Sequence, residues 1–79
     1  MSRIHATAEV EEGAQISSGV SIWQFAHVRE GCVVGENVII GRGVYVGRGV
    51  RIGSDCKIQN YSLLYEPAVL EAGVFIGPG

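Results

Sequence analysis

The sequence predicts an all-β chain: a parallel β-helix of a little over four triangular coils, one unit over residues 1–79, with no α-helix. Three observations predict it. An aliphatic residue returns every six positions. A small residue sits two before it. Glycine recurs at fixed places after it.

The aliphatic positions are Ile4, Val10, Ile16, Ile22, Val28, Val34, Ile40, Val46, Ile52, Ile58, Leu64, Leu70 and Ile76. The small positions run Ala8, Ala14, Val20, Ala26, Cys32, Val38, Val44, Val50, Cys56, Ser62, Ala68 and Val74. A period of six fits neither a helix of 3.6 residues per turn nor a plain two-sided strand. It fits a short strand and a turn, repeated. Residues i and i−2 share a face of a strand, so the aliphatic and the small residue both point inward. Glycine follows the aliphatic at 35, 41, 47, 53 and 77, and three places after it at 13, 19, 31, 43, 49, 73 and 79. It permits turn conformations that a side chain disfavours. Three units make a coil of 18 residues, and successive coils stack through parallel pairing.

Stacked repeats draw stability from neighbours and need capped ends. The N-terminal MSRIHA is a poor cap, and VFIGPG stops inside a hexad. On this reading the chain looks cut short at its C-terminal end. A chain of 79 residues buries only about 60% of its unfolded surface, so a lone copy is marginal and gains from partners.

Composition removes several classes of function. A net charge of −2 with mixed signs gives no nucleic-acid footprint. No run of about 18 apolar residues exists to span a membrane. The start lacks the apolar core of a signal peptide, so a cytoplasmic protein is expected. Cys32 and Cys56 have neither metal-type nor redox-type spacing and are expected to be reduced, buried and structural.

The segment SIWQFAHVREG (21–31) breaks the monotony. Ile22, Ala26 and Val28 hold the inward places, so Trp23, Phe25 and His27 lie outside or at a turn. By coil position, every aromatic and both histidines fall in one half of the coil. An exposed aromatic strip of this kind marks contact with another protein surface. The interface candidates are Trp23, Phe25, His27, Tyr45 and Tyr61, and the expected partner is another copy. A second column, Glu12, Glu30, Arg48 and Glu66, reads as a solvated charge ladder.

Catalytic machinery is sparse. No Ser/His/Asp arrangement and no phosphate-binding loop is visible. His5 and His27 are too few for a three-histidine metal site in one copy, so no metal is expected. His27 could serve as a general base, since imidazole titrates near neutrality, or as a hydrogen-bonded interface residue. Asn60, Tyr65 and Glu66 are polar or amphipathic groups near the aromatic strip and are the substrate-binding candidates.

The segments IHATAEVEEGAQI, IWQFAHVREGCVVGENVIIGRGVYV and KIQNYSLLYEPAVLEAGVFIGP carry a finer signal. The repeat resembles the hexapeptide acyltransferases. These segments resemble the sugar-nucleotide N-acetyltransferases that modify the 3-amino group of UDP-2-acetamido-3-amino-2,3-dideoxyglucuronate, or of dTDP-linked 3-amino-deoxyhexoses. The I-W-x-F-A-H-V-R-E-G motif at 22–31 is the most specific part. The resemblance implies a left-handed coil, a homotrimer, acetyl-CoA as co-substrate without a metal, and an active site in the cleft between neighbouring copies. It implies a role in surface polysaccharide (lipopolysaccharide) synthesis, with a nucleotide-linked amino sugar as acceptor and neither nucleic acid nor membrane as partner.

Two departures stand out. Many relatives read Q-N-N and Y-E-G where this chain has Gln59-Asn60-Tyr61 and Tyr65-Glu66-Pro67. They also continue past a Gly-Pro such as Gly77-Pro78 into a segment with F-T-N and further coils. The catalytic residues are therefore expected beyond Gly79, and the 79 residues alone are expected to be inactive. The alternative from another class is a short non-catalytic β-helix, a scaffold or gene remnant that oligomerises.

Overall fold

The computed structural model describes residues 2–79. It contains thirteen two-residue strands: β1 (Arg3–Ile4), β2 (Glu9–Val10), β3 (Gln15–Ile16), β4 (Ser21–Ile22), β5 (His27–Val28), β6 (Val33–Val34), β7 (Ile39–Ile40), β8 (Tyr45–Val46), β9 (Arg51–Ile52), β10 (Lys57–Ile58), β11 (Leu63–Leu64), β12 (Val69–Leu70) and β13 (Phe75–Ile76). No helix occurs among the described residues.

Each of β1 to β10 pairs in parallel with the strand three places on, at a register of 18 residues. Ser21 aligns with Ile39, and His27 with Tyr45. Three flat faces result. The first is β1-β4-β7-β10-β13, the second β2-β5-β8-β11 and the third β3-β6-β9-β12. The fold is a parallel β-solenoid of about four turns, consistent with a left-handed β-helix. Hydrogen bonds climb from coil to coil: the Trp23 N–H donates to Ile40 O at 3.0 Å and the His27 N–H to Val44 O at 2.8 Å.

The second residue of each strand points inward, as the period requires. Ile22, Val28, Val34, Ile40, Val46, Ile52 and Ile58 form the buried column, with Val20, Ala26, Cys32, Val38, Val44, Val50, Cys56 and Ser62 beside them. Ser62 is the polar member, and its hydroxyl donates to Gly77 O. Both cysteines are free and buried. The Cys32 Sγ lies 2.9 Å from Gly47 O, and burial pushes its thiol pKa up.

The aliphatic period is regular throughout, but burial is not. Ile4 is 46% exposed, and Val10, Ile16, Leu70 and Ile76 are only partly covered. End coils have a neighbour on one side only, so the core is confined to the middle of the stack. Met1, the first residue of the N-terminal segment expected to cap poorly, lies outside the described residues.

Most of the described corners follow one rule. The second corner residue takes positive φ at all seven glycines there and at Phe25, Asn37, Asp55 and Tyr61. Asn and Asp tolerate this region, whereas a bulky aromatic there is an outlier. Both aromatics lie on the corner between the first and second faces, with Gly43 between them in the stack. A Cβ on Gly43 would run into the Tyr61 ring.

Candidate functional site

The 18-residue register stacks Glu9, His27, Tyr45 and Leu63 on the outside of the second face. Glu11, Arg29, Gly47 and Tyr65 follow one step after each strand. These two columns bring together groups that lie far apart in sequence.

Glu11 is the hub. Its Oε2 lies 2.7 Å from His27 Nε2, and its Oε1 accepts from Arg29 Nε and from the Glu30 backbone N–H, each at 3.0 Å. The hydrogen bonds from His27, then Arg29, lower its pKa from 4.5 to about 2, so it is ionised at neutral pH. Arg29 also donates through Nη1 to the Tyr45 hydroxyl at 3.0 Å. That hydroxyl and Glu11 raise the arginine further, so it stays charged. The His27 ring meets Tyr45 edge-on, with centroids 5.7 Å apart, and Tyr45 meets Tyr65 at the same distance with tilted rings.

Beside this ladder a cleft of about 290 Å³ opens toward the next corner, lined by Arg29, Tyr45, Gly47, Arg48, Tyr65 and Glu66. It holds two guanidinium groups, two phenol rings and a carboxylate. Arg48 is exposed and lies 3.4 Å from Glu30. A larger hollow of about 460 Å³ sits at the N-terminal end, among Ser2–His5 and Ser21–Trp23. His5 is the one histidine on its wall, and the smaller cleft carries the richer chemistry.

The structure separates the substrate-binding candidates. Tyr65 and Glu66 share the cleft, and Asn60 does not. Asn60 sits at the corner between the first and second faces, where its Oδ1 accepts from the Arg42 N–H at 3.0 Å. Its carboxamide is engaged in holding the coil below. The interface candidates also fall into two groups. Trp23, Phe25 and Tyr61 mark that same corner, each about half exposed, while His27 and Tyr45 are half-buried on the second face. Arg42 joins the corner group, with its guanidinium 5.1 Å from the Phe25 ring centroid and its Nε bonded to the Tyr61 hydroxyl at 3.0 Å.

Glu9, Glu11 and Arg29 were missed by sequence reasoning, and Arg48 was read only as part of a solvated charge ladder. The signal was available, because Glu9 is 18 residues before His27 and Glu11 is 18 before Arg29. Counting histidines alone also missed that ligand atoms of Glu9, Glu11 and His27 lie within 4.8 Å of one another. Arg29 already neutralises Glu11 there, so the arrangement is an ion-pair ladder in the described residues.

A family model described as bacterial transferase hexapeptide (six repeats) matches residues 13–48, a little under half of the chain. The chain is similar to these transferases over that stretch. A comparison with curated proteins gives no match. No helix among the described residues is long and apolar enough to cross a membrane.

Proposed function

We propose that this chain serves an acetyl-CoA-dependent N-acetyltransferase of the hexapeptide type, acting as a homotrimer on a nucleotide-linked 3-amino sugar. The observation that carries the transferase reading is the repeat match over residues 13–48, within a hexad pattern that continues unbroken on both sides. The acceptor and donor come from the resemblance of the 22–31 motif. The cleft supports an amine acceptor on independent grounds. Glu66 offers a carboxylate to an ammonium or hydroxyl, and the Tyr45 and Tyr65 rings offer surface to the apolar face of a sugar.

In this reaction the neutral amine attacks the thioester carbonyl. The N–C bond forms, the C–S bond breaks, and the thiol leaves with the proton that the amine gives up. A neutral amine is already a nucleophile, so positioning supplies much of the rate. The chain's residues would hold the acceptor, with Arg29 fixed by Glu11 and Tyr45 as a rigid wall of the cleft.

The test is thiol release from acetyl-CoA by the native protein, captured from its source cell with an antibody to residues 13–48. Release with a 3-amino sugar nucleotide, and none with its 3-hydroxyl counterpart, is the expected result. No release with either acceptor would sink the reading and leave the non-catalytic β-helix in its place.

A further inference from the structure

The first face and the corner that follows it (residues 3–7, 21–25, 39–43, 57–61 and 75–79) contain Arg3, Arg42 and Lys57 and no Asp or Glu. On that corner Arg42 is held by two rings. Its guanidinium lies over Phe25, and its Nε donates to the Tyr61 hydroxyl at 3.0 Å. Its Nη atoms make no hydrogen bond among those described. Arg29 and Arg48 each face a glutamate. No carboxylate lies within salt-bridge distance of Arg42 among the described residues. The two rings that hold it are strained, since every other positive φ in the described chain falls on Gly, Asn or Asp. Strained side chains of this kind collect at ligand clamps. Here their shared effect is one fixed guanidinium with unused donors.

A fixed guanidinium matches an oxyanion through two parallel hydrogen bonds. Any surface that closed over the corner would raise the need for such an anion, because a buried charge without a partner is costly. Arg3 and Lys57 add positive charge on the same face, which favours a multiply charged anion. Trp23 adds a different element. Its indole is 49% exposed, two residues before Phe25, and takes no part in holding Arg42. A half-exposed indole offers a flat face on which an aromatic base stacks.

We infer that the aromatic corner binds a nucleoside diphosphate, with its phosphates on Arg42 and its base on Trp23. A guanidinium fork beside a free indole calls for an oxyanion and an aromatic ring in one molecule, which is the make-up of a nucleotide. Phe25 and the Tyr61 hydroxyl are positioning groups, acting through Arg42. The corner is separate from the cleft of Arg29, Tyr45, Tyr65 and Glu66, which lies at the other edge of the second face. The site stands on the corner's own residues. The proposed reaction assigns no residue to the nucleotide of its acceptor, and only the identification of the ligand with that nucleotide rests on that reading.

Trp23 is the only tryptophan of the chain, so its fluorescence reports on this corner alone. Titrating the whole chain with uridine 5′-diphosphate at low salt is expected to quench it to saturation, with circular dichroism to confirm folding. By calorimetry, pyrophosphate and uridine, which each carry half of the chemistry, are expected to bind at least about tenfold more weakly. Arg42→Gln should weaken the nucleotide by about tenfold or more, through lost hydrogen bonds to a charged group. Arg42→Lys keeps the charge but loses the fork, so it should restore little of that loss. Arg51→Gln removes the same charge from the third face and should change nothing. No saturable binding, an equal loss in Arg51→Gln, or pyrophosphate held as tightly as the nucleotide would overturn the inference. Binding without acetyl transfer would defeat the proposed function and leave this site standing, and transfer without binding at the corner would do the reverse.

Discussion

Glu11 and His27 are 16 residues apart in sequence, yet Oε2 and Nε2 lie 2.7 Å apart across two coils. Arg29 and the Glu30 N–H hold the other side of the same carboxylate. The contact ties the exposed first coil to the buried second one.

This contact makes stability sensitive to acid. The carboxyl pKa is about 2 in the folded chain, against 4.5 without its partners. A lowered folded pKa means that the contribution is fully present above 4.5 and is lost as pH falls toward 2. Urea midpoints measured from pH 6 to pH 2 are expected to drop across that window. Glu11→Gln should lower the midpoint at pH 6 and flatten its dependence. Parallel curves for the two proteins would show that the ion pair contributes nothing.

Phe25 tests whether the aromatic corner serves folding or contact. Its φ of 61° costs a side chain roughly 1–2 kcal/mol that glycine does not incur. Phe25→Gly removes the strain and loses the packing on Arg42. The single chain is therefore expected to keep or slightly raise its melting temperature in dilute, high-salt solution, while association weakens. The converse holds at Gly43, where φ is 66° and the Tyr61 ring covers the site. Gly43→Ala should cost at least about 1 kcal/mol, which lowers melting by roughly 4–8 °C in a chain of this size. An unchanged melting curve for Gly43→Ala would contradict the strain argument.

The same aliphatic period predicts unequal costs along the stack. Ile40 is fully buried and Ile4 is 46% exposed. Ile40→Ala is expected to cost about 2–5 kcal/mol through lost burial and a cavity. Ile4→Ala should cost well under about 1 kcal/mol. Hydrogen exchange offers an independent check: amides of β4–β10 should protect longer than those of β1 and β13. Equal protection at the ends and the middle would mean that the end coils are covered in solution.

The fold was legible because six-residue periodicity is a backbone rule written in side chains. Ile22, Ile40 and Ile58 are inward for the same reason each time, and a register of 18 follows from three turns. The site was less legible. Period analysis finds what is alike, whereas Glu9, Glu11, His27, Arg29 and Tyr45 form a ladder because unlike groups stack. Searching residues 18 apart for opposite charge finds Glu11 with Arg29. Finding Glu11 with His27 needs side-chain reach across a column, which no spacing reports. Asn60 was grouped with Tyr65 and Glu66 because all three lie near the aromatic strip, but β11 divides them and places them at different corners.

That division gives the sharpest contrast between two neighbouring candidates. Asn60 Oδ1 holds the Arg42 N–H of the preceding coil, so Asn60→Ala leaves a turn donor without its partner. It should lower stability by about 0.5–1.5 kcal/mol and leave acceptor binding unchanged. Glu66 is exposed, makes no hydrogen bond among those described, and lines the cleft beside Tyr65. Glu66→Gln should leave melting within about 0.5 kcal/mol of wild type. In the captured protein it should raise KM for the amino-sugar acceptor more than it lowers kcat, as expected when a ground-state contact is lost. Matched melting and acceptor titrations on the two variants decide the matter. If Asn60→Ala shifts KM while Glu66→Gln does not, the acceptor lies at the aromatic corner and the cleft has another use.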